Sequence, residues 1–428
     1  MFRSTISRAL NYWKKLGPGL ITGAADDDPS GIATYSQTGA SAGPQLIWLS
    51  LFTFPLMAVI QEMCARIGMV TGRGLAANIK IYFPRPLLII CTILLFIANT
   101  FNIGADLGAM AEATRLVFPS LNQGLLVIGF TLFSLFLQIF TSYKAYAQYL
   151  KWLTIILFSY ILTAFAIELD WSSLFYHLIV PHLSFDKQSL LLVAAILGTT
   201  ISPYLFFWQS SQEVEEKEGK KTVNSKGQRL VDEISSADIS SMRIDVWTGM
   251  FVSNLVMFFI IAVCSGTLFA SGITNISTAA DAAAALLPLA GTGAYLLFAL
   301  GIIGTGLLAV PVLAGSTSYA IAETMNWKEG LGRKFQQAQA FYWVLTAAML
   351  VGLMLNFIGL DPIKALIYSA VANCLVAPVV LVFVVLLSGN KTLMGQWVSG
   401  RMSSAIGWLL IGIMWVVSIL TVISFFRV

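Results

Sequence analysis

The chain has 428 residues, of which 57% are hydrophobic and only 11% are charged, and its formal net charge is +4. Soluble globular proteins contain about 45–50% apolar and about 25% charged residues, so this composition excludes a soluble enzyme and a nucleic-acid-binding protein. An outer-membrane barrel is excluded as well, because its strands would alternate apolar and polar residues over about ten positions, whereas this chain has long apolar runs.

We predict an all-α integral membrane protein with about eleven transmembrane helices, since each crossing needs about 20 mostly apolar residues. The predicted spans lie at about 16–38, 45–68, 87–117, 123–141, 150–168, 189–209, 246–270, 287–322, 338–357, 363–387 and 404–426. The first and the sixth are interrupted by prolines and glycines. The stretch at 287–322 is longer than one crossing requires, so either a tilted helix or a span with a short surface helix would account for it.

The distribution of Lys and Arg predicts the orientation, because basic residues concentrate in cytoplasmic loops. With the N-terminus inside, all but four of the 25 basic residues fall on the inner side, and the exceptions are Arg115, Lys187, Lys364 and Arg427. We therefore expect a protein of the bacterial inner membrane, surrounded by lipid, with a cytoplasmic N-terminus and an external C-terminus. No cleavable signal peptide is expected.

Little else in the chain suggests a separate activity. The four cysteines lie in apolar runs without the paired spacing of a metal or redox motif, so we expect buried thiols, no zinc site and no cofactor. The stretch 210–244 has a soluble composition and is predicted to be a solvated cytoplasmic loop, helical in part. No nucleophile motif or soluble domain indicates an enzyme, and no protein partner is evident.

The first predicted span contains three aspartates, at positions 26–28, followed by Pro29 and Gly31. Charged side chains are costly at mid-membrane, so acids there usually have a function, although a membrane-edge position is the alternative for the first two. Pro29 cannot bond to the carbonyl four residues earlier, which frees the carbonyl of Ala25. The residue before a proline leaves the helical region, so Asp28 should lie in unwound backbone. A free carboxylate beside a free carbonyl favours a hard cation.

The sixth predicted span has a similar interruption, with Gly198 and Pro203 inside an apolar run. Pro203 frees the carbonyl of Thr199, and Ser202 adds a hydroxyl group. Interrupted helices five spans apart are typical of secondary transporters with inverted repeats, which bind the substrate near the membrane midplane between the two breaks.

This spacing predicts one transmembrane domain over residues 1–428. Its first repeat would cover about 16–168 with spans 1–5, its second about 189–387 with spans 6–10, and an extra span would follow at about 404–426.

Three motifs resemble those of the NRAMP divalent-metal transporters. Residues 28–31, D-P-S-G, are similar to that family's D-P-G-N, and I-S-P-Y at 201–204 stands where the family has V-M-P-H. The most specific match is ARIGMVTGRGLA at 65–76, which is similar to A-R-L-G-x-V-T-G-R-x-L-A. The resemblance covers nearly the whole chain and implies a LeuT-like fold with discontinuous spans 1 and 6.

The resemblance also implies a metal site. The family holds its ion with an Asp and an Asn of the first break, a Met of the sixth span and one carbonyl from each break. By position, the Asp is Asp28 and the carbonyls belong to Ala25 and Thr199, whereas Gly31 replaces the Asn and Ser202 replaces the Met. These replacements should leave only hard oxygen ligands and should enlarge the site. Such a site suits partly hydrated Mg²⁺, or Mn²⁺, and resembles that of the NRAMP-related magnesium transporters.

Proton coupling should be weak or absent, because Tyr204 and Gln209 stand at the positions of the family's sixth-span histidines and Ala109 at that of an acid. Side chains expected near the ion or along its pathway are Asp27, Asp106, Glu112, Tyr204, Gln209 and Asn373. Several have structural alternatives: Glu112 could pair with Arg115, and Asn373 could form an interhelical hydrogen bond. Glu62, another acid in a predicted span, could pair with Arg66 one turn on.

Two other functions remain open at this point. One is a proton-coupled importer of Mn²⁺ or Fe²⁺. The other is a sodium-coupled amino acid carrier on the same fold, although three consecutive acids would repel a carboxylate substrate.

Overall fold

A computed structural model of the chain describes residues 17–141, 154–220 and 234–426. Every regular element within these ranges is helical, as predicted. The helices up to residue 179 are α1 (Pro18–Asp26), α2 (Pro29–Ala42), α3 (Trp48–Thr71), α4 (Leu75–Tyr82), α5 (Arg85–Val117), α6 (Gln123–Phe140), α7 (Phe158–Ala166) and α8 (Trp171–Ile179). They are followed by α9 (Lys187–Thr200), α10 (Pro203–Lys220), α11 (Ser236–Cys264), α12 (Ala279–Ala283), α13 (Leu287–Ala290), α14 (Ala294–Met325), α15 (Gln339–Leu355), α16 (Pro362–Ser388), α17 (Lys391–Met394) and α18 (Arg401–Phe426).

Each predicted span coincides with one helix or with a pair of helices, although the first residues of the fifth span lie outside the described ranges. By length and composition, 8 helical segments of the described chain could cross a membrane, and α15 is a shorter apolar helix. The number of crossings, the orientation and the division into two repeats stay predictions.

Two boundaries differ from the prediction. The stretch 287–322 is not one tilted helix: the short helix α13 at Leu287–Ala290 precedes the long helix α14, which begins only at Ala294, as in the alternative of a span with a short additional helix. The predicted loop at 210–244 is helical at both ends, where α10 continues to Lys220 and α11 begins at Ser236. Ser210, Ser211 and Glu213 are buried, so this turn of α10 packs against neighbouring helices instead of facing solvent.

Large apolar side chains cover much of the outer surface. Leu125 and Phe140 on α6 are 70% and 71% exposed, and Phe426 at the end of α18 is 82% exposed. An apolar surface of this kind would be unfavourable in water and suits contact with lipid chains. The four cysteines are buried thiols, as predicted.

The helices around the second break approach each other at glycines. A β-carbon on Gly198 of α9 would lie 1.8 Å from the carbonyl oxygen of Ala370 and 2.6 Å from the backbone nitrogen of Cys374, both on α16. The backbones of α9 and α16 are thus in contact, and only a glycine fits between them.

We expect Gly198→Ala to destabilise the protein by about 1–3 kcal/mol or more, because the added methyl group forces two backbones apart. The matched control is Gly412→Ala on α18, where a β-carbon meets nothing within 4 Å. Thermal unfolding of the purified proteins in detergent measures the difference, and equal midpoints for the two variants would contradict this packing.

Candidate metal centre

The first break lies at the predicted position. Helix α1 ends at Asp26, and α2 begins at Pro29. Asp27 has φ −85° and ψ 48°, and Asp28 has φ −67° and ψ 171°, which is extended backbone. Because a proline disfavours helical geometry in the residue before it, the conformation of Asp28 follows from local sterics.

The carboxylate of Asp28 is only 1% exposed and is fixed by donors from two helices. Its Oδ1 accepts hydrogen bonds from the backbone N–H of Gly31 at 2.8 Å and from Ser30 Oγ at 2.6 Å. Its Oδ2 accepts one from Asn102 Nδ2 of α5 at 3.0 Å, and Asn102 Oδ1 in turn accepts from Ser369 Oγ of α16 at 2.7 Å. These donors hold the carboxylate at the break, where its oxygens are suitable ligands for a hard cation or for its water.

The second break separates α9, which ends at Thr200, from α10, which begins at Pro203. Ser202 Oγ lies 2.7 Å from the carbonyl oxygens of both Gly198 and Thr199. The two breaks are in contact through one hydrogen bond. Tyr204 of α10 donates its hydroxyl hydrogen to the backbone carbonyl of Ala25 in α1 at 3.1 Å. The carbonyls that the two prolines free from their helices therefore each accept a hydroxyl hydrogen bond.

Gly31 lies close to the second break. A β-carbon on Gly31 would lie 3.2 Å from Thr199 Oγ1, 3.3 Å from the carbonyl oxygen of Asp26 and 3.4 Å from Cε2 of Tyr35. A larger residue at this position would therefore displace its neighbours. The enlargement of the metal site expected from the loss of the Asn side chain stays a prediction.

Asp26 and Asp27 are also buried, at 0% and 3% exposure, which speaks against an exposed position at the membrane edge. Ser253 Oγ of α11 lies 2.6 Å from Asp26 Oδ2 and 3.2 Å from Asp27 Oδ1. Both side chains thus face α11, while Asp28 faces α5.

Two of the predicted pathway residues lie outside this centre. Gln209 accepts a hydrogen bond from Thr22 Oγ1 and donates one to Glu213 at 2.9 Å, so it links α1 to α10 away from Asp28. Glu112 accepts from the backbone N–H of Ala279 at 2.9 Å and thereby binds the first turn of α12. Arg115, the alternative partner of Glu112, donates to Gln123 at 3.4 Å, and among the described residues the two side chains form no direct ion pair.

Asp106 and Asn373 are both fully buried polar residues within apolar helices. In the ranges that the structure covers, neither oxygen of Asp106 and neither terminal atom of Asn373 has a hydrogen-bond partner. The interhelical hydrogen bond that was the alternative for Asn373 is therefore not formed. Asp106 lies one helical turn beyond Asn102 on α5, which places it on the face that contacts Asp28.

Glu62 forms the predicted pair with Arg66, at 3.2 Å. It also contacts α11, where Arg243 lies at 3.0 Å and Trp247 Nε1 donates to it at 2.8 Å. These partners indicate a structural role for Glu62.

Helix α1 is held at its N-terminus by a residue of another helix. Asp245 of α11 accepts hydrogen bonds from the backbone N–H groups of Gly17 at 2.8 Å, Gly19 at 2.7 Å and Leu20 at 3.1 Å. The first N–H groups of a helix lack partners within it, and Asp245 supplies an acceptor for three of them. A β-carbon on Gly19 would lie 2.6 Å from the backbone of Val246, so the two helices are in direct contact.

Asn102, Ser253, Ser369 and Asp245 are the residues that our sequence reasoning did not assign to this region. Asn102, Ser253 and Ser369 are polar side chains within apolar spans, which is the signal that could have identified them, whereas Asp245 lies just before the predicted seventh span and has no such signal. Their partners lie on other helices, so the sequence pattern alone did not show what they bind.

Every ligand predicted by position is an oxygen: the Asp28 carboxylate, the Ala25 and Thr199 carbonyls and the Ser202 hydroxyl. No group of three or more His, Cys, Asp or Glu side chains among the described residues is arranged to hold a metal ion. The centre can therefore offer one carboxylate with neutral oxygens, which is the donor set of hard divalent cations.

Comparisons with known proteins point to one family. The Nramp family model, described as natural resistance-associated macrophage protein-like, matches residues 19–424. A divalent metal cation transporter MntH of Erwinia tasmaniensis is 27% identical over 424 residues, covering 95% of this chain and 94% of the relative. The MntH of Klebsiella pneumoniae is 25% identical over 407 residues, covering 93% and 91%.

Solved structures show the same fold at low sequence identity. The Eremococcus coleocola manganese transporter, in complex with an aromatic bis-isothiourea compound, superimposes with a TM-score of 0.76 at 19% identity, covering 96% of this chain and 87% of that chain. Mhp1, a nucleobase-cation-symport-1 family transporter in a closed conformation, gives 0.56 at 13% identity, covering 96% and 91%. The LeuT-like fold class implied by the resemblance in sequence is confirmed.

Proposed function

Because this chain belongs to the Nramp family, whose members are transporters and not enzymes, we propose that it moves divalent metal cations across the membrane by alternating access. Its relatives in Erwinia and Klebsiella are named as divalent metal cation transporters, which supports a metal ion as the substrate. They are bacterial proteins, which supports the inner membrane as its location.

The observation that carries the proposal is the buried carboxylate of Asp28 in the first break, at the point where the second break approaches. A carboxylate with neutral oxygens favours Mg²⁺ and Mn²⁺, whereas sulfur ligands favour softer ions. Ser202 stands at the position of the family's Met, so the substrate is Mg²⁺, Mn²⁺ or both. The ion binds at the midplane and keeps part of its water shell.

Transport proceeds with little or no proton coupling. Tyr204 and Gln209 stand where the family has histidines. The carboxylate of Glu62 forms ion pairs with two arginines and accepts a hydrogen bond from a tryptophan, so it does not serve as a proton carrier. The alternative is a proton-coupled importer of Mn²⁺ or Fe²⁺, and one observation favours it. Asp106 is buried near the centre, and no hydrogen-bond partner for it occurs among the described residues, which leaves it available to a proton.

The test is uptake into proteoliposomes that contain the purified protein, with a metal-sensitive dye and a pH-sensitive dye inside. We expect Mg²⁺ and Mn²⁺ to enter without stoichiometric acidification. Metal entry with one or more protons per ion would establish the coupled alternative. A lack of any metal flux, with a bound amino acid detected by calorimetry, would overturn the proposal.

A further inference from the structure

Part of the connection between α11 and α14 is packed against the bundle along one side. We call residues 273–286 the outer strap; it consists of an extended stretch, the helix α12 and the turn that follows it. Its buried apolar residues, each at most 2% exposed, are Ile276, Ala279, Ala282, Ala283, Ala285 and Leu286. Positions 279, 282, 283 and 286 recur at the three- and four-residue spacing of one helix face, so the strap has one buried apolar face.

This apolar face lies over the helices of the metal centre. Ile276 and Ala279 line a small apolar cavity together with Ala33 of α2 and Ala109 of α5. Ala33 follows Asp28 along α2 by about 7 Å. In the predicted orientation the connection between the seventh and the eighth span is external, so the strap lies between the external solution and Asp28.

The backbone of the strap is bonded to side chains of two neighbouring helices. Gln37 of α2 donates an Nε2 hydrogen to the carbonyl of Thr274 at 3.0 Å, and its Oε1 accepts from the N–H of Ile276 at 2.8 Å. Glu112 of α5 accepts from the N–H of Ala279 at 2.9 Å. Backbone groups of an extended segment need partners when they are buried, and the side-chain amide of Gln37 supplies them as an adjacent strand would.

Other hydrogen bonds keep the strap itself in shape. Asp281 Oδ2 accepts from the N–H groups of Ser277 at 3.0 Å and Thr278 at 2.9 Å, and the N–H of Asp281 donates to Thr278 Oγ1 at 3.2 Å. These bonds lie within the strap, so they would persist if it moved as a unit. The three bonds to Gln37 and Glu112 would break.

The two helices that bind the strap also hold Asp28. Helix α2 starts directly after Asp28, whose side chain caps it, and Gln37 lies about 13 Å further along the same helix. Asn102 of α5 donates to Asp28 at 3.0 Å, and Glu112 lies about 15 Å further along α5. Because each helix is continuous between these two points, a change in the separation of α2 and α5 at Asp28 also changes the separation of Gln37 and Glu112.

Resting on the proposed function, we propose that the outer strap is a gate over the metal centre and that Gln37 and Glu112 form its latch, which stays closed only while α2 and α5 are close together. In this structure the latch is closed. A cation from the outer side reaches Asp28 after the three bonds have opened. Once bound, it fixes the start of α2 against the neighbouring helices, so the ion-bound state favours the closed latch.

A cysteine beneath the strap measures whether the gate is open. Ala109→Cys lies on the lining of the cavity and should react slowly with a water-soluble maleimide, and the native thiols are buried. One hydrogen bond changes an equilibrium about fivefold, so adding Glu112→Ala should raise the rate about fivefold and adding Gln37→Ala about twentyfold. Mass spectrometry of the purified proteins in detergent, without metal, measures the rates.

Two further variants serve as controls for the labelling experiment. Glu112→Gln keeps an acceptor oxygen for the strap and should restore a rate close to that of Ala109→Cys alone. Asn275→Ala removes an exposed amide of the strap that donates to Ser277 Oγ at 3.1 Å, so it leaves the latch intact and the rate unchanged. Equal labelling rates with Gln37→Ala, Glu112→Ala and Asn275→Ala would overturn the latch.

A second readout uses the unmodified protein and does not depend on any variant folding. We expect Mn²⁺, at a concentration that calorimetry shows to be saturating, to slow hydrogen–deuterium exchange of the backbone at residues 276–279. Exchange that is unchanged by bound Mn²⁺ would overturn the link between the gate and Asp28 while leaving the proposed function in place. Failure of the protein to bind or transport either ion would instead remove the proposed function, and the metal-free labelling rates would still decide whether the strap opens.

Discussion

Exchange of Asp28 for asparagine is expected to lower Mg²⁺ and Mn²⁺ uptake by about a hundredfold or more. Loss of a residue that only supports a metal ligand typically costs 10–100-fold in affinity, and Asp28 is the ligand itself. Its negative charge is the main attraction that the first break offers to a cation, since the other predicted ligands are neutral. Uptake by proteoliposomes at matched protein density measures the loss.

Asparagine is the informative replacement because it keeps the fold of the break. An Asn side chain can still accept from the Gly31 N–H as the N-cap of α2, so the helix start is preserved while the charge is removed. The control is Glu168→Gln, which removes an exposed carboxylate from the loop after α7. Unchanged transport in Asp28→Asn would place the metal elsewhere, and the two remaining aspartates of the break would be the next candidates.

Exchange of Asp245 for alanine is expected to detach the N-terminus of α1 from α11. The loss of stability should exceed that caused by removing any single side-chain hydroxyl group. Three backbone N–H groups would lose their common acceptor. A buried donor left without a partner costs about 1–3 kcal/mol, so the summed effect is several kcal/mol unless water enters. We expect a lower thermal midpoint and faster amide exchange at residues 17–20.

Hydrogen–deuterium exchange with mass spectrometry locates the effect. In Asp245→Asn, one side-chain oxygen remains as an acceptor, and the increase in exchange should be smaller than in the alanine variant. Glu168→Gln, which removes an exposed carboxylate from the loop after α7, should leave exchange at residues 17–20 unchanged. Wild-type protection at these residues in Asp245→Ala would show that Asp245 does not hold α1.

The difference between these two aspartates shows where sequence reasoning succeeded and where it stopped. Asp28 was recognised because its neighbour is Pro29, and the effect of a proline on the preceding residue is local. Asp245 carries no such mark in the sequence, since its partners are more than 220 residues away. Its role depends on the rotation of α11 about its own axis, which the packing of the bundle determines.

The candidate metal centre could likewise be predicted only in part from the sequence. The prolines correctly indicated that the carbonyls of Ala25 and Thr199 leave their helices. They could not indicate that Tyr204 would donate to Ala25, because that contact joins residues 179 positions apart. Nor could they indicate that Thr199 of α9 would lie close to Gly31 of α2, because that contact joins residues of two helices.

Location in a membrane, a helical chain and breaks in the first and sixth spans could all be read from the residues alone. These properties follow from composition and from backbone sterics, which act within a few residues. The donors that hold Asp28, the helix that holds α1 and the hydroxyl groups that face the break carbonyls became known only from the packed bundle. Those contacts depend on how each helix is rotated and how closely it packs, because side chains from distant segments meet only after the bundle has formed.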